Sequence, residues 1–352
     1  MRLKIKKTGS FKNSKKYLKL INNASVYDVA IKSPITFAPN MSLKEGNKIF
    51  LKREDLQPIF SFKNRGAYNK IFNLSDDQKK RGVIAASAGN HAQGVASACK
   101  KLKIKCMIVM PITTPEIKIK DVKRFGAKIL QHGDNVDAAL KEALSIAKKR
   151  KLSFVHPFDD PLTIAGQGTI GKEILEDEND FDAVFVPVGG GGILAGVSAW
   201  IAQKNNKTKI IGVEAGGPKN SKLHAAPLTC GAKLGILHGA AAYVCQNNEG
   251  QINDTESISA GLDYPGVSPI HCFLKDTKRA RYTSATDEDA LKAYQLVTKL
   301  EKIRPSLEPS HAFAEAIKIA PKLSKDTIII CNSCGDSFKD KDILKARLGR
   351  IN

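Results

Sequence analysis

No stretch of the 352-residue chain stays apolar long enough to form a membrane-spanning helix, so a soluble protein without a membrane partner is expected. Cysteines number seven, an odd count without framework spacing, which excludes a disulfide scaffold and points to a reducing compartment. Cys331 and Cys334 form a Cys-x-x-Cys, but no second pair or histidine pair completes a tetrahedral site, and no metal is expected. Acids are missing from residues 1–27, where lysines are frequent. This reads as a basic arm over 1–14 on a cytoplasmic protein, with an organelle-targeting segment as the alternative. No apolar core followed by a cleavage-like site occurs there, which disfavours secretion. No zinc-finger, RNA-recognition or basic-zipper pattern accompanies the net charge of +21. The lysines are spread among acids and read mostly as a solvated face, so no nucleic-acid partner is expected.

What is present suffices for a large core, since 42% of residues are hydrophobic, in one α/β unit or two intertwined subdomains. Apolar runs at 83–86, 106–110, 128–130, 153–156 and 210–214 read as strands, and 117–125 and 135–149 as helices. The second helix carries Val136, Ala139, Leu140, Ala143, Leu144 and Ala147 at near 3.6 spacing. This alternation implies a mostly parallel sheet with helices on both faces and ligand loops at the strand C-termini.

Three stretches carry chemistry. In the first, Ser61-Phe62-Lys63-Asn64-Arg65-Gly66-Ala67-Tyr68, Lys63 lies between an alternating run at 48–55 and a helical pattern at 65–74. A helix N-terminus disfavours a cation and lowers its pKa, which suits an amine that must attack a carbonyl cofactor. The alternative is a solvated surface lysine, one of 56 Lys and Arg residues. In the second, a strand end at 83–86 meets the small-residue loop Ser87-Ala88-Gly89-Asn90 and a helix from His91. Such a loop offers backbone N–H groups to an anion such as a substrate carboxylate, or is a plain N-capping turn. In the third, Ala183-Val184-Phe185-Val186-Pro187-Val188 runs into Gly189, Gly190, Gly191 and Gly192 and then a helix. Backbone without side chains suits a phosphate, and the missing GKT or GKS ending disfavours a nucleotide P-loop.

Taken in order with Leu51-Lys52-Arg53-Glu54-Asp55-Leu56-Gln57-Pro58 and Ile164-Ala165-Gly166-Gln167-Gly168-Thr169, these motifs resemble the β-family, or fold-type II, of pyridoxal-phosphate enzymes. About 15–205 is most similar to threonine dehydratase. The resemblance implies two three-layer αβα subdomains with mostly parallel sheets, forming one catalytic unit over 15–352. About 82–160 would be the smaller mobile subdomain, and about 15–81 with 161–352 the larger cofactor subdomain. It implies that Lys63 holds pyridoxal 5'-phosphate covalently beside Phe62, and that Asn90 contacts the ring hydroxyl. Gly189, Gly190, Gly191, Gly192 and Ile193 would cradle the phosphate, while Ser87, Ala88, Gly89, Asn90 and His91 hold the substrate carboxylate.

From about residue 208 to 352 the chain resembles the tryptophan synthase β-subunit instead. The motifs include Val213-Glu214-Ala215-Gly216-Gly217, Leu237-His238-Gly239, Ser257-Ile258-Ser259-Ala260-Gly261-Leu262-Asp263-Tyr264, Leu307-Glu308-Pro309-Ser310-His311 and Lys339-Asp340-Lys341-Asp342. Glu308 would lie near the ring or in a structural ion pair. Cys334 aligns with the serine that faces the pyridine nitrogen, Ser333 being one residue off; a buried small residue is the other reading of Cys334. Three departures bear on the chemistry. Ala85 stands where that subunit has a glutamate that manages protons as indole adds, Phe62 where it has a histidine, and Arg281 where an aspartate closes over substrate.

The resemblance therefore implies α,β-elimination from L-threonine or L-serine, giving a 2-oxo acid and ammonia, with a place in isoleucine biosynthesis. The alternative is β-replacement joining L-serine and indole into L-tryptophan, and Ala85 favours elimination. A homo-oligomer, dimer or tetramer, is expected; docking to a tryptophan synthase α-subunit is disfavoured. No isoleucine-sensing module follows residue 352, so feedback inhibition is not expected. A non-enzyme reading, a degenerate cofactor-binding scaffold or a basic nucleic-acid binder, is the competing class.

Overall fold

The computed structural model describes residues 14–178, 180–205, 207–231 and 233–349. The basic arm expected over 1–14 lies outside these apart from Ser14, which opens α1 (Ser14–Asn22). There follow β1 (Ile35–Phe37), α2 (Pro39–Glu45), β2 (Lys48–Arg53), α3 (Lys63–Phe72), α4 (Asp76–Arg81), β3 (Val83–Ala86), α5 (Asn90–Leu102), β4 (Cys106–Met110) and α6 (Glu116–Lys123). The middle of the chain forms β5 (Lys128–Gln131), α7 (Val136–Arg150), β6 (Ser153–Phe154), α8 (Pro161–Asp177), β7 (Ala183–Pro187), α9 (Gly192–Lys204) and β8 (Lys209–Ala215). After the hairpin of β9 (Lys233–Leu237) and β10 (Ala240–Val244) come α10 (Pro269–Asp276), β11 (Arg281–Ala285), α11 (Asp287–Glu301), α12 (Leu307–Ile319), β12 (Ile328–Ser333) and α13 (Lys341–Leu348).

Two sheets carry the molecule. The larger has the order β1-β2-β12-β7-β8-β11, parallel throughout except for the antiparallel β1–β2 pair; the smaller, β5-β4-β3-β6, is all parallel. The expected α/β architecture of mostly parallel three-layer units is thus observed. Strand β7 shows why both faces are covered. Val184 and Val186 join the apolar cluster of α8 and α9, while Ala183 and Phe185 join that of α2 and α12. In the same way Val83 and Ala85 of β3 face α5 and α6, and Ile84 and Ala86 face α7. The period of two along a strand sends successive side chains to opposite layers.

The structure departs from the sequence expectations at three places. In α7 the buried residues are Ala139, Ala143 and Ile146, spaced i, i+4 and i+7, while Val136 and Leu144 are exposed. Leu144 lies one residue, or about 100°, off that stripe. The strand expected over 153–156 stops at Phe154, because His156 Nδ1 accepts the N–H groups of Phe158 (3.3 Å) and Asp159 (2.8 Å) and so turns the chain. The run expected over 48–55 stops at Arg53. Glu54 then enters a 3-10 turn that aims its carboxylate into the interior, where Arg65 binds it at 2.8 Å through both Nε and Nη2.

Candidate active site

The loops of the candidate site gather at the C-terminal ends of parallel strands. The loop 87–89 follows β3, the glycines follow β7, Cys334 follows β12, and the turn at 156–160 follows β6. Lys63 is the first residue of α3, preceded by Phe62 without any side-chain cap. A buried ionic cluster fixes that helix. Arg65 pairs with Glu54 and with Glu173 of α8, and Lys52 of β2 reaches Glu173 at 2.7 Å, all four side chains being fully buried. Two cations meet two carboxylates, so the cluster is neutral and hydrogen-bonded, the condition under which buried charge is tolerated. Close backbone approach completes the anchoring. A Cβ on Gly66 would lie 2.6 Å from Thr163 O, and one on Gly166 2.7 Å from Arg65 O, so the backbones of α3 and α8 approach closely, with the Gln167 side chain packed on Gly66.

The Lys63 amine donates to Pro157 O at 3.1 Å. Burial lowers its pKa to about 8, against the opposing pull of Cys334 and Glu308. Cys334 is buried, its carbonyl accepts Phe62 N–H at 3.2 Å, and burial followed by the Glu308 charge pushes its thiol well above the ordinary range. Glu308, in the first turn of α12, accepts Gly261 N–H at 3.0 Å. Lys63, Phe62, Cys334 and Glu308 thus stand together. The interaction that orients Glu308 is a backbone hydrogen bond; no salt-bridge partner is found for it among the described residues.

Gly189, Gly190, Gly191 and Gly192 form a bare loop into α9, with Ile193 buried behind it. Gly191 has φ +90, open to glycine, and a Cβ there would collide with the His271 ring. Cβ atoms on Gly190 and Gly192 would meet Phe158, and one on Gly189 would meet Gly261 O. Among the described residues none of these four glycines gives its N–H to a protein acceptor. Free N–H groups at the N-terminus of a 13-residue helix are what a phosphate requires, so the loop fits the cofactor's anion. His271 Nε2 meets Gly191 O at 2.7 Å and Nδ1 meets Tyr282 O–H at 2.8 Å, so both ring nitrogens are used in holding the loop. Burial keeps that imidazole neutral, its pKa lowered to about 4.

In the loop after β3, Ser87 Oγ accepts Gly89 N–H at 3.1 Å, and Ala88 is partly exposed. The His91 side chain turns inward to Val155 O at 2.8 Å, and burial lowers its pKa to about 3, so it can offer an anion only its backbone N–H. Asn90 opens α5, and its Oδ1 accepts from Lys339. Residues to which the sequence assigned no site role also frame this space. Phe158 covers the glycine loop with His156 edge-on to its ring at 4.6 Å and Pro157 O on the Lys63 amine, while Tyr264 packs on Phe158 at 5.5 Å between ring centres and stacks on His238 at 5.9 Å. Their local signal was weak: His156-Pro157-Phe158 follows a strand, but nothing in the string indicates that it folds back over glycines thirty residues later.

With this geometry in hand, the comparisons are specific. The family described as pyridoxal-phosphate dependent enzyme matches residues 26–335. A threonine dehydratase of Nicotiana attenuata is 54% identical over 201 residues, 57% of this chain and 33% of the relative. The chloroplastic threonine dehydratase 1 of Solanum lycopersicum is 50% identical over 267 residues, 74% of this chain and 43% of the relative. The solved structure of the processed form of threonine deaminase isoform 2 from Solanum lycopersicum superposes with a TM-score of 0.82 at 35% identity, covering 96% of this chain and 89% of that one. The matches to these two curated relatives span 33% and 43% of the relatives' own lengths.

Proposed function

This chain belongs to the pyridoxal-phosphate-dependent enzyme family, and on that premise we propose that it converts L-threonine or L-serine to a 2-oxo acid and ammonia by α,β-elimination. The observation that carries the reading is the pairing of a buried, pKa-lowered amine, Lys63, with an apolar Ala85 on the strand leading to the carboxylate loop. Lys63 is the only base needed for elimination, and nothing on β3 could manage a second proton for β-replacement.

The cofactor supplies, when bound, an electron sink that stabilises negative charge at the substrate Cα. The chain supplies the rest. Gly189, Gly190, Gly191 and Gly192, with the positive end of α9, bind the phosphate. The neutral Lys63 amine, with Phe62 beside it, holds the cofactor and then takes the Cα proton. The segment Ser87, Ala88, Gly89, Asn90 and His91 at the start of α5 would hold the substrate carboxylate, offering the N–H groups of Ala88, Asn90 and His91 because Ser87 N–H is spent on Val109 O and Gly89 N–H on Ser87 Oγ, and the Asn90 amide would meet the ring hydroxyl. Cys334 would face the ring nitrogen as a neutral partner, its thiol kept protonated by burial, with Glu308 near it. Phe158, lying against Gly190 and Gly192, would exclude water from the phosphate loop.

The proposal extends to a smaller mobile unit over about 82–160 and to a self-associating enzyme acting on a small amino acid. Its compartment would be the cytoplasm or an organelle, its product a feed for isoleucine biosynthesis. Among the described residues no helix is long and apolar enough to cross a membrane.

The test is an absorbance spectrum of the protein with pyridoxal phosphate, before and after L-threonine, L-serine, and L-serine with indole, with 2-oxo acid and tryptophan assayed. A visible cofactor band that Lys63→Ala abolishes, with 2-oxo acid formed, is the expected result. Tryptophan as the main product, or no band with the parent protein, would overturn the reading.

A further inference from the structure

We propose that Lys339 is a positioning residue of this site, fixing the Asn90 side-chain amide so that its NH2 group is presented as a donor to the cofactor's ring hydroxyl. The inference rests on the assignment of Asn90 to that hydroxyl. Lys339 lies in the 3-10 turn Ser337–Asp340 that follows β12 in the larger sheet body, whereas Asn90 is the first residue of α5 in the smaller one. They are 249 residues apart, yet Lys339 Nζ donates to Asn90 Oδ1. An ammonium is a donor only, and a planar amide has one acceptor end and one donor end, so the contact decides which way the amide faces. Its NH2 end is turned away from Lys339, and among the described residues no protein acceptor pairs with it.

The surroundings are unlike those of an ordinary surface lysine. Asp121 of α6, Glu308 of α12 and the adjacent Asp340 act on the ammonium, with Arg124 opposing them. Burial draws the Lys339 pKa down to about 8, and the carboxylates resist that shift. Acids from both sheet bodies thus favour the charged form, while its hydrogen bond is spent on a single amide. Without it the Asn90 amide is free to rotate half a turn and present its oxygen to an oxygen, removing the donor that the ring hydroxyl needs.

The experiment compares full-length Lys339→Met and Lys339→Arg with the parent, titrating pyridoxal phosphate and, separately, its 3-deoxy analogue, which lacks the ring hydroxyl. Cofactor fluorescence reports the dissociation constant. Lys339→Met is expected to bind pyridoxal phosphate roughly three- to tenfold more weakly, the range of one lost hydrogen bond. It should bind the deoxy analogue as the parent does, and should have no further effect in an Asn90→Ala background. Lys339→Arg should recover most of the loss. Equal weakening toward both ligands, or no weakening toward either, overturns the inference. Lys339→Gln replaces the methionine variant if the urea midpoint of the latter falls. The wider reading fails separately, through persistence of the parent's cofactor band in Lys63→Ala.

Discussion

At the scale of single residues, the role proposed for Lys63 rests on the desolvation of its amine. Its amine has one hydrogen-bond acceptor, Pro157 O, and a pKa lowered to about 8 because a charge there is poorly solvated. The neutral form is the reactive one, so the initial rate at which the apoprotein captures pyridoxal phosphate should rise about tenfold per pH unit below 8 and level off above it. A stopped-flow pH series reads this directly, and a rate still climbing at pH 10 would mean an unshifted lysine. The residues legible in the sequence are those whose meaning is local. Lys63 at a strand-to-helix step and four glycines between a strand and a helix can be read from neighbours within ten positions. His271 and Lys339 cannot, since their partners Gly191 and Asn90 lie 80 and 249 residues away and only packing brings them together.

At the scale of elements, the seat of Lys63 is set by how α3 is held rather than by α3 itself. Its glycine-backed contact with α8 and the Arg65 cluster fix both the rotation and the height of the helix. Removing the guanidinium with Arg65→Met leaves the buried carboxylates of Glu54 and Glu173 short of a counter-charge. Such a change is expected to cost about 3–5 kcal/mol in urea unfolding. Lys63→Ala, which removes one hydrogen bond to a carbonyl, should leave the midpoint close to the parent's. Equal midpoints for Arg65→Met and the parent would mean the cluster contributes nothing net. The sequence announced these elements well: β3, β4 and β7 fall where the apolar runs lie. It announced their ends poorly, because ends depend on side chains reaching back. His156 stops β6 by accepting two N–H groups, and Glu54 leaves β2 to meet Arg65.

At the scale of the whole molecule, two sheet bodies share one site, and the net charge of +21 surrounds both. If that charge is a solvated face, binding to duplex DNA should be visible at roughly 50 mM salt, be gone by roughly 200 mM, and show no sequence preference. A gel shift that survives the higher salt and discriminates sequences would restore the nucleic-acid reading. Polar contacts between the bodies include Lys63 to Pro157, Lys339 to Asn90, Ser268 Oγ to Asp159 at 2.7 Å, Lys70 to Asp160 at 2.7 Å, and His238 Nε2 to Asp137 Oδ1 at 3.3 Å, where the β9–β10 turn meets α7, and the apolar side chains of α3 pack against α5.

Phe158 comes from the segment leaving the smaller sheet, yet its ring lies against Gly190 and its backbone and Cβ against Gly192, both of which belong to the larger one. The roof of the phosphate loop and its floor are therefore attached to different bodies. On the proposed reading, in which the smaller unit swings away to admit an amino acid, that roof would lift with it, so substrate entry and cofactor escape would share one motion and turnover would be coupled to cofactor retention.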